Sequence, residues 1–457
     1  MTVPERSERR VADQTAGYGR AAGILSAGLA ATGLVTFAFF SLASHALDGA
    51  AYTRIVLMWS LMFIVISTIY RPIEQLLSRE IASRRASGAA HEHPLLVPAA
   101  IQAGFGAVFV AAALIGRSPI QDGLFDGSSA LYWSLVAGVA TYGVAFFTRG
   151  WLAGYKRYGL FGTLVLFDAV ARVCFPLAVA LGFGGETTVA VGIAVAPLIS
   201  LLVVPLAFGR RVATLGEERV ALAPAADAAL DGPGAEGAEE ALSDLTLSRG
   251  AGFAGAVLAI MLSEQALLNV PVLTVDAATS DAALAGFVFN VLLIARAPLQ
   301  LFQSVQLSLL PHLAGLEVTE GREAFRHAVR VTVLAIAAFT AIVALGLLAI
   351  GPPVMNALFG DDFDYGRGGL ALMGVGMGLH LFAGTINQAA LARDHASRAA
   401  LGWLVTAGLF VAWLTLPTIE DQLLRVQVGY CAASAVLSVL MLVALRGPPP
   451  QPGPAYS

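Results

Sequence analysis

The sequence predicts an all-α integral membrane protein with about twelve transmembrane helices, in two parallel halves of six. Three observations predict this class. Mean hydropathy is +0.75, 57% of the 457 residues are hydrophobic and 13% are charged, against about 25% in soluble domains. The apolar residues come in blocks of about 20, the length a helix needs to cross the hydrocarbon core. The basic residues fall mostly in alternate gaps between blocks, as the orientation rule for membrane helices requires.

A polar tail over 1–20 precedes the first block. That block ends near Ala43-Ser44-His45-Ala46, which faintly resembles a signal-peptidase site. A retained first span is expected, because the polar leader is long and the rest of the chain is already membrane sequence. The first half, 21–208, predicts spans at Ala21–Ser44, Ile55–Ser78, Leu95–Gly116, Ala130–Arg149, Leu160–Gly182 and Val189–Phe208. The second half, 249–446, predicts Gly250–Pro271, Ala282–Leu307, Val331–Ile350, Gly369–Leu391, Ala399–Leu416 and Val426–Leu445. Between them, 209–248 is rich in Ala, Gly and acid, including Glu217, Asp227, Glu236 and Asp244. It has too little apolar surface to fold alone and reads as a flexible cytoplasmic linker. The tail 447–457 is proline-rich and reads as disordered.

With a cytoplasmic N-terminus, twenty of the 27 Lys and Arg residues fall in cytoplasmic segments and four (Arg54, Arg117, Arg367, Arg425) in outer loops. Arg71, Arg172 and Arg296 fall inside spans. Both termini are therefore expected on the cytoplasmic face of a cell membrane. The halves carry matching motifs. Arg71-Pro72-Ile73-Glu74-Gln75 in the second span parallels Arg296-Ala297-Pro298-Leu299-Gln300 in the eighth. Leu124-Phe125-Asp126-Gly127 parallels Leu358-Phe359-Gly360-Asp361. An even number of spans per half makes such repeats parallel, related by an axis along the membrane normal.

An ionisable residue at mid-membrane costs about 2.5–3.5 kcal/mol on insertion scales and needs a partner, a wet cavity or a function. Arg71 and Arg296 sit too deep to reach the surface comfortably. They are candidates to bind an anionic headgroup, since guanidinium grips phosphate oxygens with two parallel hydrogen bonds. Glu74 is a nearby partner for Arg71, and Glu264 a candidate partner for Arg296. Glu264, followed by Gln265 and Asn269, is equally a candidate proton or sodium site. Asp168 and Arg172, four apart on one helix, are expected to form a structural ion pair. Amides at Gln75, Asn290, Gln300, Gln303, Gln306, Asn387 and Gln388 are suited to bind sugar hydroxyls or to join helices. His380 is expected to be packed and hydrogen-bonded. Prolines 72 and 298 kink their helices at equivalent places. Cys174 and Cys431 lie in apolar blocks and imply neither disulfide nor metal site. His91-Glu92-His93 is a weak metal motif.

No phosphate-binding loop of the G-x-x-x-x-G-K-S/T type is present, and no His-Glu-x-x-His or G-x-S-x-G. No stretch outside the spans is long enough for a catalytic domain. The expectation is a non-enzymatic protein with no cofactor, no metal and no nucleic-acid partner.

Around these residues the chain resembles the multidrug/oligosaccharidyl-lipid/polysaccharide exporter superfamily. Within it the chain looks most like bacterial polysaccharide-biosynthesis flippases of the Wzx type. The resemblance spans about residues 15–446. It rests on the Arg71–Gln75 motif and on Arg149-Gly150-Trp151-Leu152-Ala153-Gly154 with Tyr155-Lys156-Arg157-Tyr158. It rests also on Leu358-Phe359-Gly360-Asp361-Asp362-Phe363 and Gln388-Ala389-Ala390-Leu391-Ala392-Arg393. The resemblance implies two bundles around a central cavity, alternating access, and an undecaprenyl-pyrophosphate-linked oligosaccharide moved from inner to outer leaflet. It also implies membrane lipids and a polysaccharide polymerase machinery as partners. Arg71 and Arg296 would hold the pyrophosphate; Gln75, Gln300, Gln303 and Asn387 would hold the sugars. The rival within the superfamily is a MATE-type cation-coupled drug exporter using Glu264. A non-transporting membrane scaffold or transferase is the reading from another class.

Overall fold

The computed structural model describes residues 28, 31–86, 96–155, 157–205, 247–279, 281, 283–294, 296, 299, 321–360, 365–393 and 395–446. Secondary structure over these residues is helical. Apolar runs this long leave backbone groups no partner in lipid except their own helix. The helices are α1 (Ala31–Ala46), α2 (Gly49–Ala86), α3 (Leu96–Ile115), α4 (Arg117–Leu124), α5 (Ser129–Gly154), α6 (Tyr158–Ala180) and α7 (Glu186–Ser200). They continue with α8 (Leu247–Ala278), α9 (Leu284–Ile294), α10 (Gly321–Phe359), α11 (Arg367–Ala392), α12 (Ala396–Thr415) and α13 (Gln422–Arg446). Ten of them are long and apolar enough to cross a membrane. The shorter apolar helices α1 and α9 stand where the sequence places the first and eighth spans. The chain is a multi-pass membrane protein.

Local chemistry sets the starts. Asp48 caps α2, its carboxylate accepting from the Ala51 N–H at 2.8 Å, and Asp421 caps α13 by accepting from Leu424 N at 3.1 Å. Glu186 opens α7, a favourable place for negative charge. The turn before α5 bends through Asp126 (φ 48°) and Gly127 (φ 80°), and the matching Gly360 after α10 has φ 90°. The paired motifs thus mark left-handed turns that suit glycine. One helix lies in a stretch read as loop. The eight residues of α4 are polar and short, below what apolar periodicity can detect.

Packing brings α5 onto α2 and α7, and α6 onto α7. In the second half α11 packs on α10 and α13, and α8 on α12. The α2–α5 contact is close because Gly150 has no side chain. A Cβ there would meet the Glu74 carbonyl oxygen at 2.8 Å and its Cα at 3.0 Å. Small residues at four-residue spacing (here Gly150 and Gly154) permit this approach in membranes. Polar bonds join the layers: Thr141 Oγ1 to the Ala194 carbonyl at 2.6 Å, and Ser438 Oγ to the Leu379 carbonyl at 3.0 Å. By contrast α3 and α10 bury little of their apolar surface, which faces outward as a lipid-facing surface does.

Polar and aromatic contacts join the two halves near the start of α2. Tyr52 donates to Asn290 Oδ1 at 2.5 Å, and Gly286 N–H donates to Thr53 Oγ1 at 3.2 Å. Ser41 donates to the Leu358 carbonyl. Phe40 packs on Phe289 at 4.6 Å between ring centroids, and Phe37 on Phe359 at 5.3 Å. These contacts gather near the α1–α2, α8–α9 and α10–α11 connections, and α2 also packs along α8.

Candidate functional site

The charged residues inside the spans form two groups. The first lies within the N-terminal half. Asp168 on α6 holds Arg172 one turn on at 2.6 Å, both 3% exposed. Arg172 also lies over the ring of Trp59 of α2, its guanidinium carbon 4.6 Å from the ring centre. The same carboxylate oxygen has a second cation, Arg149 of α5, at 3.7 Å. Sequence reading assigned Arg149 to a cytoplasmic segment. The structure corrects this: α5 runs on to Gly154, the close α2–α5 contact holds that turn inward, and Arg149 is buried against Phe146. Tyr142 lies beside the cluster. Its hydroxyl, Asp168 Oδ1 and both arginine Nε atoms complete no hydrogen bond. Two guanidiniums around one carboxylate tie α2, α5 and α6 together.

The second group lies along the seam between the halves. Arg71 and Glu74 of α2 are half-buried, with Arg71 about 28 Å along the helix from Tyr52. Glu264 of α8 lies about 21 Å from Ala278. The cation that acts on Glu264 electrostatically is Arg71, while Glu74 feels both Arg149 and Arg71. Among the described residues Glu264 forms no hydrogen bond and no ion pair. The proposed Arg296–Glu264 pair is therefore not formed. Helix spacing alone could not decide which inter-helix partner Arg296 takes.

Arg296 follows α9 and turns toward α8. It donates to the Leu268 carbonyl and to Asn269 Oδ1, the latter at 2.7 Å. Asn269 is oriented in turn by Gln265, whose Oε1 accepts at 3.0 Å. Pro271, three residues on from Leu268, has no N–H and so frees the neighbouring Leu267 carbonyl in the same turn. The guanidinium also lies over Phe289 at 4.5 Å. Among the described residues Arg296 has no carboxylate partner, and its Nε is buried without an acceptor. It is a deep cation held by neutral groups.

Beyond Arg296, in the C-terminal half, Tyr430 of α13 shares a hydrogen bond of 3.1 Å with His380 Nδ1 on α11. His380 is 2% exposed and makes an edge contact to Trp403 at 5.5 Å. Asn387, read as a sugar ligand, is buried and accepts from Trp403 Nε1 at 3.2 Å. That contact places it in a packed interior, not on an open path. Gln75 is exposed on α2. Gln300, Gln303 and Gln306, with Pro298 and the His91-Glu92-His93 motif, lie outside the described residues. Arg54, assigned to an outer loop, stands in the first turns of α2 and bridges Asp126 at 3.0 Å and Glu186 at 2.7 Å. Both cysteines are free. Among the described residues no group of three or more metal-ligating side chains comes together.

No family model matches the sequence, and no curated protein matches it. Solved structures do. The MATE transporter VcmN of Vibrio cholerae, in a mutant form, superposes with a TM-score of 0.58 at 13% identity, covering 94% of this chain and 97% of that one. The eukaryotic MATE transporter AtDTX14 gives 0.64 at 13%, covering 93% and 94%. An inward-facing multidrug-resistance MATE transporter of the MOP superfamily gives 0.62 at 14%, covering 91% and 93%. At such identities the likeness is one of fold, and it runs over nearly the whole of each chain. The chain is a membrane protein with the fold of the MATE transporters of the MOP superfamily.

Proposed function

We propose that this chain is an alternating-access exporter of an anionic amphiphile, of the class of undecaprenyl-pyrophosphate-linked oligosaccharides, moved from the inner to the outer leaflet. In this reading twelve spans form two six-helix halves around a central cavity in a bacterial cell membrane, with both termini cytoplasmic. The polysaccharide polymerase machinery receives the product. The observation that carries the reading is Arg296, a deep guanidinium whose described partners are a carbonyl, an amide and a ring. A cation left without a carboxylate favours an anionic substrate and disfavours a cationic one. The pyrophosphate sits at the guanidinium and the lipid tail stays in the bilayer. A potential negative inside adds about 2.3 kcal/mol per negative charge per 100 mV in the outward direction.

A second reading, a cation-coupled drug exporter, is favoured by Glu264, a carboxyl with no hydrogen bond or ion pair among the described residues. The named structural neighbours fit it as well. Direct binding separates the two. Purified protein, wild type and Arg296→Ala, is titrated with an undecaprenyl-pyrophosphate glycolipid and with a cationic dye. Glycolipid binding weakened at least about tenfold by the substitution, the effect of losing one charge-assisted contact of about 1.5–3 kcal/mol, supports the first reading. Dye binding that depends on Glu264 and pH, with no glycolipid binding, supports the second.

A further inference from the structure

The spans Gly255–Ala278 of α8, Ala396–Thr415 of α12 and Gln422–Arg446 of α13 each have one end at the same membrane boundary. A small cavity lies where they meet, lined by Thr274 and Ala278 of α8, Leu414 of α12, and Gln422 and Arg425 of α13. It has room for about one water-sized group. Gln422 is fixed by one bond, its Nε2 donating to the Ala278 carbonyl at 3.3 Å. The reverse amide orientation would set two oxygens against each other, so Oε1 is the atom left over. That oxygen is buried and accepts no hydrogen bond. A buried acceptor of this kind carries its full desolvation cost until a donor reaches it.

Arg425 stands three residues on, on the same face of α13. Its Nε donates to the Ile419 carbonyl at 2.8 Å, and Nη2 donates to the same oxygen. Nη1 has no partner among the described residues. Glu420 and Asp421 precede it in the chain, yet neither pairs with it; the Asp421 carboxylate accepts from the Leu424 N–H instead. Trp413 Nε1 donates to the Arg425 carbonyl at 3.0 Å, which sets an indole at the boundary, where membrane tryptophans gather. Leu409 and Leu416 on the α12 side and Leu424 on α13 are exposed, an apolar edge beside the polar cavity. One niche thus offers a cation with an unused donor, a buried acceptor without a donor, and an apolar flank.

We propose that this niche binds a lipid phosphodiester whose headgroup carries a hydrogen-bond donor, as glycerol and ethanolamine headgroups do and choline does not. A phosphate oxygen accepts from Arg425 Nη1 in a charge-assisted bond. The headgroup hydroxyl or ammonium enters the cavity and donates to Gln422 Oε1. The acyl chains lie along the exposed leucines. Free glycerol phosphate carries the same two polar groups, but the apolar edge favours the lipid. The site shares no residue with Arg296 and its partners and does not depend on the export reading.

The test is native mass spectrometry of the delipidated full chain in a non-ionic detergent. The chain is titrated with short-chain phosphatidylglycerol, phosphatidylethanolamine and phosphatidylcholine, and separately with glycerol phosphate. The glycerol and ethanolamine lipids should bind about fivefold or more tighter than the choline lipid, the effect of one added hydrogen bond. Gln422→Leu should erase that preference and leave choline-lipid binding unchanged. Arg425→Gln should weaken all three lipids about tenfold, the effect of one charge-assisted bond. Glycerol phosphate should bind at least about tenfold more weakly than the glycerol lipid. Should Arg425→Gln misfold through loss of the Ile419 bonds, Gln422→Leu carries the test. Equal binding of the three lipids, or a preference that persists in Gln422→Leu, overturns the proposal. Glycerol phosphate binding as tightly as the lipid overturns the assignment to a lipid. Binding lost in Arg296→Ala and kept in Arg425→Gln places the headgroup at the seam and overturns it as well.

Discussion

Replacing Asp168 with Asn tests the N-terminal charge cluster. The carboxylate is 3% exposed and serves Arg172 at 2.6 Å and Arg149 at 3.7 Å. Breaking a buried ion pair costs about 3–5 kcal/mol, because the remaining charge loses its compensation. Two features lower the figure here. Asn keeps a carbonyl that still accepts one hydrogen bond, worth about 1 kcal/mol. Arg172 and Arg149 also retain the faces of Trp59 and Phe146, a cation–π contact being worth about 0.5–2 kcal/mol. The expected loss is about 2–4 kcal/mol, read by denaturant titration in mixed micelles. Replacing both residues of the closer pair, Asp168→Leu with Arg172→Met, removes the nearer of the two orphaned cations and leaves Arg149. The double variant should recover about 1–3 kcal/mol relative to the sum of the single ones. If Asp168→Asn falls within about 0.5 kcal/mol of wild type, the range of ordinary surface changes, the cluster is not holding α2, α5 and α6 together. A double variant that merely adds the single losses refutes the pairing.

Two further outcomes follow from close contacts. Gly150→Val drives a side chain into the Glu74 backbone, 2.8 Å from its carbonyl oxygen. Overpacking of this kind costs about 1–3 kcal/mol or more and should cut the folded yield on size-exclusion chromatography. Gly104→Ala, with nothing within 4 Å of the new methyl, should leave that yield unchanged. Tyr52→Phe removes the 2.5 Å bond to Asn290 between the halves. Loss of about 1 kcal/mol should raise the population open at that contact about fivefold, seen as a longer distance between spin labels at Leu47→Cys and Asp281→Cys. An unchanged distance distribution would show that the bond does not hold the halves together.

The spans were legible because apolar length is a strong signal in a chain that must satisfy its backbone without water. Their ends were not. α2 runs to Ala86 and α10 begins at Gly321, well past the apolar blocks, because Arg, Glu and Ala are good helix formers even where they are polar. Hydropathy marks where the bilayer stops, and the backbone need not stop with it. The same effect hid Arg149, which closes an apolar run and so looked like a surface residue. The signal that could have found it was Gly150-x-x-x-Gly154, a spacing that predicts a close helix contact just where the arginine stands. The Asp168–Arg172 spacing lay within one helix and could be read directly. Partners on different helices could not: nothing in the sequence gives Arg296 to Leu268 and Asn269 in preference to Glu264.

That last distinction bears on function. Deep in the spans stand four guanidiniums, Arg71, Arg149, Arg172 and Arg296, and three carboxylates, Glu74, Asp168 and Glu264. Arg149 and Arg172 share Asp168. Arg71 acts on Glu74 within its own half and on Glu264 across the seam. Of the four, Arg296 is the one on which no carboxylate among the described residues acts. A structural arginine in lipid is expected to carry its counter-ion with it, since insertion otherwise costs about 2.5–3.5 kcal/mol. Here the chain instead supplies a carbonyl beside the proline break, an amide oriented by a second amide, and an aromatic face. These groups orient a guanidinium while leaving its charge in place; on the proposed export reading, an arriving anion meets a positioned cation and displaces no carboxylate. On the proposed export reading, Glu264, about one helical turn from Leu268 on the same helix, is the group whose protonation eases the approach of a second negative charge. Anion binding at Arg296 and protonation around Glu264 are thus expected to reinforce one another, which is how one seam can serve both a substrate and a coupling ion.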